Sequence, residues 1–156
     1  MIGLGSDHNG LELKCRLRAH LTARGRLVWD FGCFPEEVVD YPDIASAVAE
    51  AVRDRLLERA VLICGTGLGM AIAANKVPGV YAAPVTDTRV ARLAWERNNA
   101  QIITLGASVV DSLSACAIVD AWLEAQFVNG ESGRKVGKVR ALEEKYAALA
   151  ASGALT

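Results

Sequence analysis

Short runs of consecutive apolar residues alternate along this chain with longer stretches in which apolar residues recur every three or four positions. Ile2–Ser6 reads as a buried strand that stops at a polar turn, Asp7-His8-Asn9-Gly10. Leu11–Arg24 reads as a helix, with Leu11, Cys15, Leu17 and Leu21 near one face and Lys14, Arg16, Arg18 and Arg24 mostly on the other. Gly25 suits its C-terminal stop. Leu27–Phe31 is a second strand, Gly32–Asp40 a loop, and Ile44–Glu58 a helix with Ala45, Val48, Val52 and Leu56 on one side. Ala60–Cys64 is apolar throughout, as in a parallel strand covered on both faces. It runs into Gly65-Thr66-Gly67-Leu68-Gly69 and a helix through about Lys76. Strand Val80–Pro84, helix Thr86–Arg97, strand Gln101–Leu105 and helix Asp111–Gln126 follow. Asn129–Gly137 is polar and glycine-rich and reads as a loop. A terminal helix spans Val139–Ala151, and the alanine-rich tail from Ala147 is expected to fray. Strands alternating with helices predict an α/β fold: a five-stranded parallel sheet with helices on both faces.

With 156 residues the chain reads as one domain, residues 1–156, able to bury a core without disulfides or metal. Its 17 basic and 18 acidic residues leave a net charge of −1, which argues against a nucleic-acid partner. No apolar run approaches the ~20 residues of a membrane span, and MIGLGS opens the chain without a leader pattern. Cys15, Cys33, Cys64 and Cys116 are widely spaced, which fits free thiols in a reducing cytoplasm and no structural zinc site. Cys15 and Cys116 read as core.

In such a sheet, ligands bind beyond the carboxyl ends of the strands, near the point where strand order reverses. Candidate chemistry therefore sits in the loops that follow strands. Cys64-Gly65-Thr66-Gly67-Leu68-Gly69-Met70 is the most informative of them. Its alternate glycines expose backbone N–H groups that suit an anion or a developing enolate oxygen. It lacks the Gly-Lys-Ser/Thr of a P-loop and departs from Gly-x-Gly-x-x-Gly. Cys64 is either a thiol activated at a strand end or a buried structural cysteine. Asp7 and His8 suit hydroxyl or phosphate binding and proton movement, or else a plain turn with a helix cap. Tyr41-Pro42-Asp43 equally suits a helix start. Arg134, Lys135, Lys138 and Arg140 form a basic cluster that is either a solvated face or a reach toward an anion.

Several segments together resemble the type B ribose-5-phosphate isomerases and the related galactose-6-phosphate isomerase subunits. They are Gly5-Ser6-Asp7-His8-Asn9-Gly10, Asp40-Tyr41-Pro42-Asp43, the Cys64–Met70 segment, Ala73-Ala74-Asn75-Lys76-Val77-Pro78-Gly79, Leu105-Gly106-Ala107 and Ile118-Val119-Asp120-Ala121-Trp122-Leu123. The resemblance runs from about residue 2 to 145. It implies a Rossmann-like three-layer domain and an aldose–ketose isomerase of a sugar or sugar phosphate working through a cis-enediolate. It also implies no metal or cofactor, and a homodimer or tetramer with shared active sites. On that resemblance Cys64 is the base, with Met70 where another branch carries a glutamate. Thr66 and the N–H groups of Gly65, Gly67 and Gly69 stabilise the enediolate, and Asp7 moves a proton between its oxygens. Tyr41 and His8 bind substrate, and Asn98 comes from the partner.

The chain departs from the family at the phosphate clamp. Arg97 stands where the ring-opening histidine is usual, Ser108 where an arginine follows Leu-Gly-Ala, and Glu131 and Lys135 at two further arginine positions. Arginine binds phosphate bidentately, so these changes are not neutral. Arg89, Arg97 and Arg134 are the candidates to rebuild the clamp. The substrate is accordingly ribose 5-phosphate by family default, or an already open-chain tetrose phosphate. An isomerase of a non-phosphorylated sugar, or a non-catalytic partner subunit, is the alternative.

Overall fold

The computed structural model describes residues 1–153, so Ala154 to Thr156 of the expected fraying tail lie outside the described residues. Strands β1 (Ile2–Ser6), β2 (Val28–Asp30), β3 (Arg59–Cys64), β4 (Ala82–Pro84) and β5 (Ile102–Gly106) form one parallel sheet in the order β2-β1-β3-β5-β4. The chain steps from β1 outward to β2, then returns past β1 to place β3 on its other side. Strand order therefore reverses between β1 and β3, whose register pairs Ser6 with Ile63.

All six residues of β3 are buried, which accounts for its unbroken apolar reading. Its side chains alternate between two cores. Val61 and Ile63 face the core formed with α1 (Leu11–Ala23), α4 (Thr88–Asn98) and α5 (Ser112–Glu124). Ala60, Leu62 and Cys64 face the core formed with α2 (Tyr41–Arg53) and α3 (Leu68–Ala74). A further helix, α6 (Gly130–Ala151), lies against α4.

Five details depart from the sequence reading, each for a local reason. The buried stripe of α1 is Leu13, Lys14, Leu17 and Leu21, while Cys15 is exposed. Lys14 is tolerated there because its ammonium donates to Asp30 Oδ1 at 2.6 Å and to the Cys33 carbonyl at 2.7 Å. Helix α2 starts at Tyr41 with Pro42 in its first turn, a favoured place for proline, and stops at Arg53 because Arg55 turns left-handed at φ 60°. Leu56 is consequently exposed and not on the helix face. Helix α3 ends at Ala74, where the Asn75 side chain ties the helix to β4, donating to the Ala71 carbonyl at 2.9 Å and the Ala82 carbonyl at 2.7 Å and accepting from the Ala82 N–H at 2.9 Å. Cys116 is half-buried, packed against the α1/α4/α5 core.

The fifth departure is the largest: Asn129–Gly137 is not a loop. Helix α6 already runs through it, and the tail from Ala147 stays helical to Ala151. Glycines inside a helix cost about 1 kcal/mol each. Here Ser132 and Val136 are buried, and Glu131 and Lys135 pair at 2.7 Å one turn apart. At Gly133 a Cβ would meet only the Asn129 side chain, a flexible group that can move aside.

The buried Lys14–Asp30 pair ties α1 to the end of β2. Lys14→Met should leave Asp30 without its closest partner and cost about 3–5 kcal/mol in urea unfolding. A change near zero would mean that Arg18, 3.2 Å from the other carboxylate oxygen, suffices to hold Asp30.

Candidate active site at the carboxyl ends of β1 and β3

Residues Asp7 to Gly10 form a single tight turn after β1. The Asp7 N–H donates to the Ile63 carbonyl at 3.2 Å, which lays this turn over β3. Asp7 Oδ1 accepts from the N–H groups of Asn9 (2.9 Å) and Gly10 (3.0 Å). One carboxylate oxygen is therefore committed to capping, and Oδ2 meets only the Asn9 amide at 3.5 Å. The cap therefore takes one oxygen of Asp7 and leaves the other almost unengaged. Gly10 is required here, because a Cβ would lie 2.6 Å from the Ile63 carbonyl oxygen. His8 is exposed, with Nε2 3.3 Å from the Asn9 side-chain nitrogen.

Cys64 ends β3 and is only 5% exposed. The Gly67 N–H donates to its sulfur at 3.1 Å. Gly67 adopts φ +81°, and its carbonyl accepts from the Thr104 hydroxyl at 2.8 Å. Gly106 allows the Thr66 carbonyl to come so close that a Cβ would sit 2.6 Å from its carbon. The Ala107 N–H donates to the Cys64 carbonyl at 2.8 Å. The Ser108 N–H donates to the Gly65 carbonyl at 3.0 Å, and the Ser108 hydroxyl donates to the same oxygen. The glycine loop is therefore fastened to the end of β5 along its length. One expectation changes: the Gly67 N–H is spent on the thiol and does not line an oxyanion site. Thr66 is exposed, its hydroxyl accepting from the Leu68 N–H at 3.4 Å. Tyr41, the first residue of α2, lays its ring against Gly69, where a Cβ would lie 2.9 Å from the ring.

The structure thus gathers Asp7, His8, Tyr41, Cys64, Gly65, Thr66, Gly67 and Gly69 around the reversal point of the sheet. It does not bring Arg97, Asn98, Arg134 or Lys135 there. Helix α4 returns antiparallel to the strands, so Arg97 and Asn98 stand at the amino ends. The Arg59 guanidinium, at the start of β3, lies 3.6 Å from the ring of Trp95 on the same turn of α4. From Arg59 to Cys64 the strand spans about 16 Å. Arg97, Asn98, Ser132 and Lys135 border a cavity of about 530 Å³ between α4 and α6. Lys135 is not free there, because Glu131 holds it. The hydrogen bond and charge of Lys135, and beyond it the Arg97 guanidinium, keep the Glu131 carboxyl below the usual carboxylate range. Arg134 is exposed on α6. Arg89 is exposed in the first turn of α4, the helix that follows the edge strand β4, on the carboxyl side of the sheet.

Three contributors were invisible or misread in the sequence. Ser108 marked only the place of a missing arginine, yet it brackets the glycine loop. Asn75 stood in a motif without a role. Lys14 looked like a solvent-facing helix residue, and only a hydrophobic stripe at 13, 17 and 21 passing close to it could have flagged it. Among the described residues, no three His, Cys, Asp or Glu side chains gather as a metal-ligand set. No described helix is long and apolar enough to cross a membrane.

A thiol at the end of β3 and a carboxylate just past the end of the neighbouring β1, with backbone N–H groups and a hydroxyl in the same loops, are the kinds of group that moving a proton at a carbon next to a carbonyl requires. Comparison with known proteins points to the same chemistry. The model of the Ribose/Galactose Isomerase family matches residues 2–139. A ribose-5-P isomerase B from Listeria innocua is 41% identical over 144 residues, covering 92% of this chain and 97% of that protein. A D-erythrulose-4-phosphate isomerase from Pectobacterium atrosepticum is 42% identical over 139 residues, covering 88% and 91%. The solved structure of Clostridium thermocellum ribose-5-phosphate isomerase B superposes with a TM-score of 0.91 at 49% identity, covering 93% of this chain and 98% of that one. Matched by the family model over residues 2–139, by relatives at about 40% identity over nine-tenths of its length and by the fold of solved members, the chain belongs to the ribose/galactose isomerase family.

Proposed function

We propose that this protein interconverts the aldose and ketose forms of a small phosphosugar through a cis-enediolate, with Cys64 as the base. The observation that carries this reading is the Cys64 sulfur, 3.1 Å from the Gly67 N–H at the end of the central strand and beside the Asp7 turn. As a thiolate, Cys64 takes the proton from C2 of the aldose. The C–H electrons form the C1=C2 double bond, and the carbonyl electrons move to O1. The free Oδ2 of Asp7 passes the O2 proton to O1. O2 then re-forms a carbonyl at C2, and C1 takes the proton back from the thiol. Thr66 and the N–H groups of Gly65 and Gly69 hold the enediolate oxygens, while Tyr41 closes one side. Free thiols suit work in a reducing cytoplasm.

Each site is completed by a second copy. Asn98 and Arg97 lie at the wrong end of their own sheet to reach their own Cys64, and a two-fold dimer can bring them to another. The substrate's phosphate meets His8, with Arg89, Arg97 and Arg134 as the remaining cations. Arg97 stays protonated and cannot act as an acid–base for opening a sugar ring. A tetrose 4-phosphate does not need that step, because the oxygen that would close its furanose ring carries the phosphate. We therefore favour a tetrose 4-phosphate. Ribose 5-phosphate is the second reading, favoured by the likeness to the Listeria and Clostridium proteins.

Cys64→Ala should keep its circular dichroism spectrum and lose substrate C2–H exchange with solvent by about 10²–10⁴-fold. Exchange at the unaltered rate in that variant rules Cys64 out as the base. Light scattering at micromolar concentration should show at least a dimer, and an active monomer refutes the shared site. In a panel of phosphorylated and free tetroses, pentoses and hexoses, kcat/KM should be highest for erythrose 4-phosphate. Glu131→Arg releases Lys135 and adds a charge-assisted phosphate donor, so it should raise kcat/KM for ribose 5-phosphate about tenfold or more. Turnover of ribose 5-phosphate by the unaltered protein as fast as that of erythrose 4-phosphate refutes the tetrose reading and leaves the isomerase standing.

A further inference from the structure

Arg59 is an arginine at the head of a strand buried on both faces, and it is itself only 7% exposed. Its guanidinium stacks 3.6 Å from the ring centre of Trp95 on α4 and 5.3 Å from that of Trp122 on α5. One terminal nitrogen donates to the Trp122 carbonyl at 2.6 Å and the other to the Ala125 carbonyl at 3.3 Å. These are carbonyls at the end of α5, where a cation is favoured. The nearest carboxylate, Glu58, is exposed and 3.9 Å away. A buried charge held mainly by carbonyls and rings is a costly way to fill a core, and an apolar residue would fill it more cheaply. What the guanidinium adds is a fixed junction of three elements.

Two segments hang from that junction. The first is the end of α4: Trp95 is stacked on Arg59, and Arg97 and Asn98 lie just beyond it. The second is the link from α5 to α6. Arg59 holds its start at Ala125, the Val128 N–H donates to the Glu96 carbonyl at 3.0 Å, and α6 then begins with Glu131, Arg134 and Lys135 in its first turns. Both are the segments that a partner's site receives, so a role for Arg59 in placing them rests on the shared-site reading.

We propose that Arg59 is a positioning residue for the partner's active site: by clamping Trp95, Trp122 and Ala125 it sets where Asn98, Arg97 and the first turns of α6 stand. It acts across the dimer and not on the Cys64 of its own strand, about 16 Å away. Lysine cannot substitute, because it lacks the planar fork that stacks and donates to two carbonyls at once.

The test uses dimers of two differently tagged chains. Arg59→Lys homodimers should lose about ten- to a hundredfold in kcat/KM, the cost of misplacing groups by about an ångström. A mixed dimer of Arg59→Lys with Cys64→Ala has one site that joins an intact Cys64 to arms from an intact Arg59. It should recover about half of the wild-type activity per dimer, one site of two. A wild-type chain paired with the double variant Arg59→Lys/Cys64→Ala should have about half the activity per dimer of the Arg59→Lys homodimer, one impaired site in place of two. If the first mixture stays poor and the second is active, Arg59 serves its own chain's thiol and the proposal is wrong. A control pair, Cys64→Ala with Asn98→Ala, separates the two ideas: no recovery there means that sites are not shared at all. Trp95→Leu removes the stacking and leaves both carbonyl hydrogen bonds, and should show the same trans pattern more weakly. If neither Arg59→Lys nor Trp95→Leu yields a folded dimer, Arg59 holds the fold and not the arms, and the proposal also fails.

Discussion

Close backbone contact between the β3–α3 loop and the end of β5 is the constraint on which the active end of this molecule depends. Gly106 admits the Thr66 carbonyl at a distance no side chain would permit, and Gly67 turns left-handed against Leu105 and Gly106. Once the loop is that close, the Cys64 carbonyl, the Gly65 carbonyl and the Gly67 carbonyl all find partners on or beside β5. The Gly67 N–H is then left pointing at the Cys64 sulfur. Ser108 belongs to this bracket. An arginine at its position would offer phosphate a fork, but it would take the hydroxyl away from Gly65. The residue that stands where an arginine is usual therefore fastens the loop that carries Cys64.

The same parallel topology separates the candidate site residues into two groups. Loops after strands gather at one end of the sheet, and helix ends before strands gather at the other. Cys64, Asp7 and Tyr41 belong to the first end, and Arg97, Asn98 and Lys135 to the second. No adjustment of loops within one chain brings across groups separated by the length of β3. A site that needs both halves must draw them from two copies, and symmetry then supplies two sites at once.

How much of this could be read from the chain depends on where each residue's partners lie in sequence. The strands and the Cys64 loop are marked locally, by unbroken apolar runs and by glycines at alternate positions, and they stand where the pattern puts them. The parallel sheet and its two ends follow from alternation alone. Lys14 could not be read, because burial is decided by Asp30 and Cys33, sixteen and nineteen residues away. Asn75 ties the end of α3 to β4 through Ala82, a partner beyond the next turn. Residues 129–137 look like a loop because glycine and polar residues disfavour helix locally. Packing of Ser132 and Val136 on α4 and the Glu131–Lys135 pair override that preference.

Two buried cations divide the work of holding these halves, and each does so through backbone carbonyls. At the carboxyl end, Lys14 donates to the Cys33 carbonyl, the Cys33 N–H donates to the Ser6 carbonyl, and Ser6 is followed by Asp7. At the amino end, Arg59 donates to Trp122 and Ala125 and stacks on Trp95 beside Arg97 and Asn98. The choice of cation fits each task. Lys14 meets one carboxylate and one carbonyl in a tight corner, which a compact ammonium can do. Arg59 spans two helix ends and two rings, which needs a wide planar group. A flexible apolar residue at either position could preserve volume, but it could not dictate where a carbonyl points. The position of the Asp7 turn and of the Arg97–Asn98 segment would then be set by packing alone, which tolerates larger shifts than a fixed set of hydrogen bonds does.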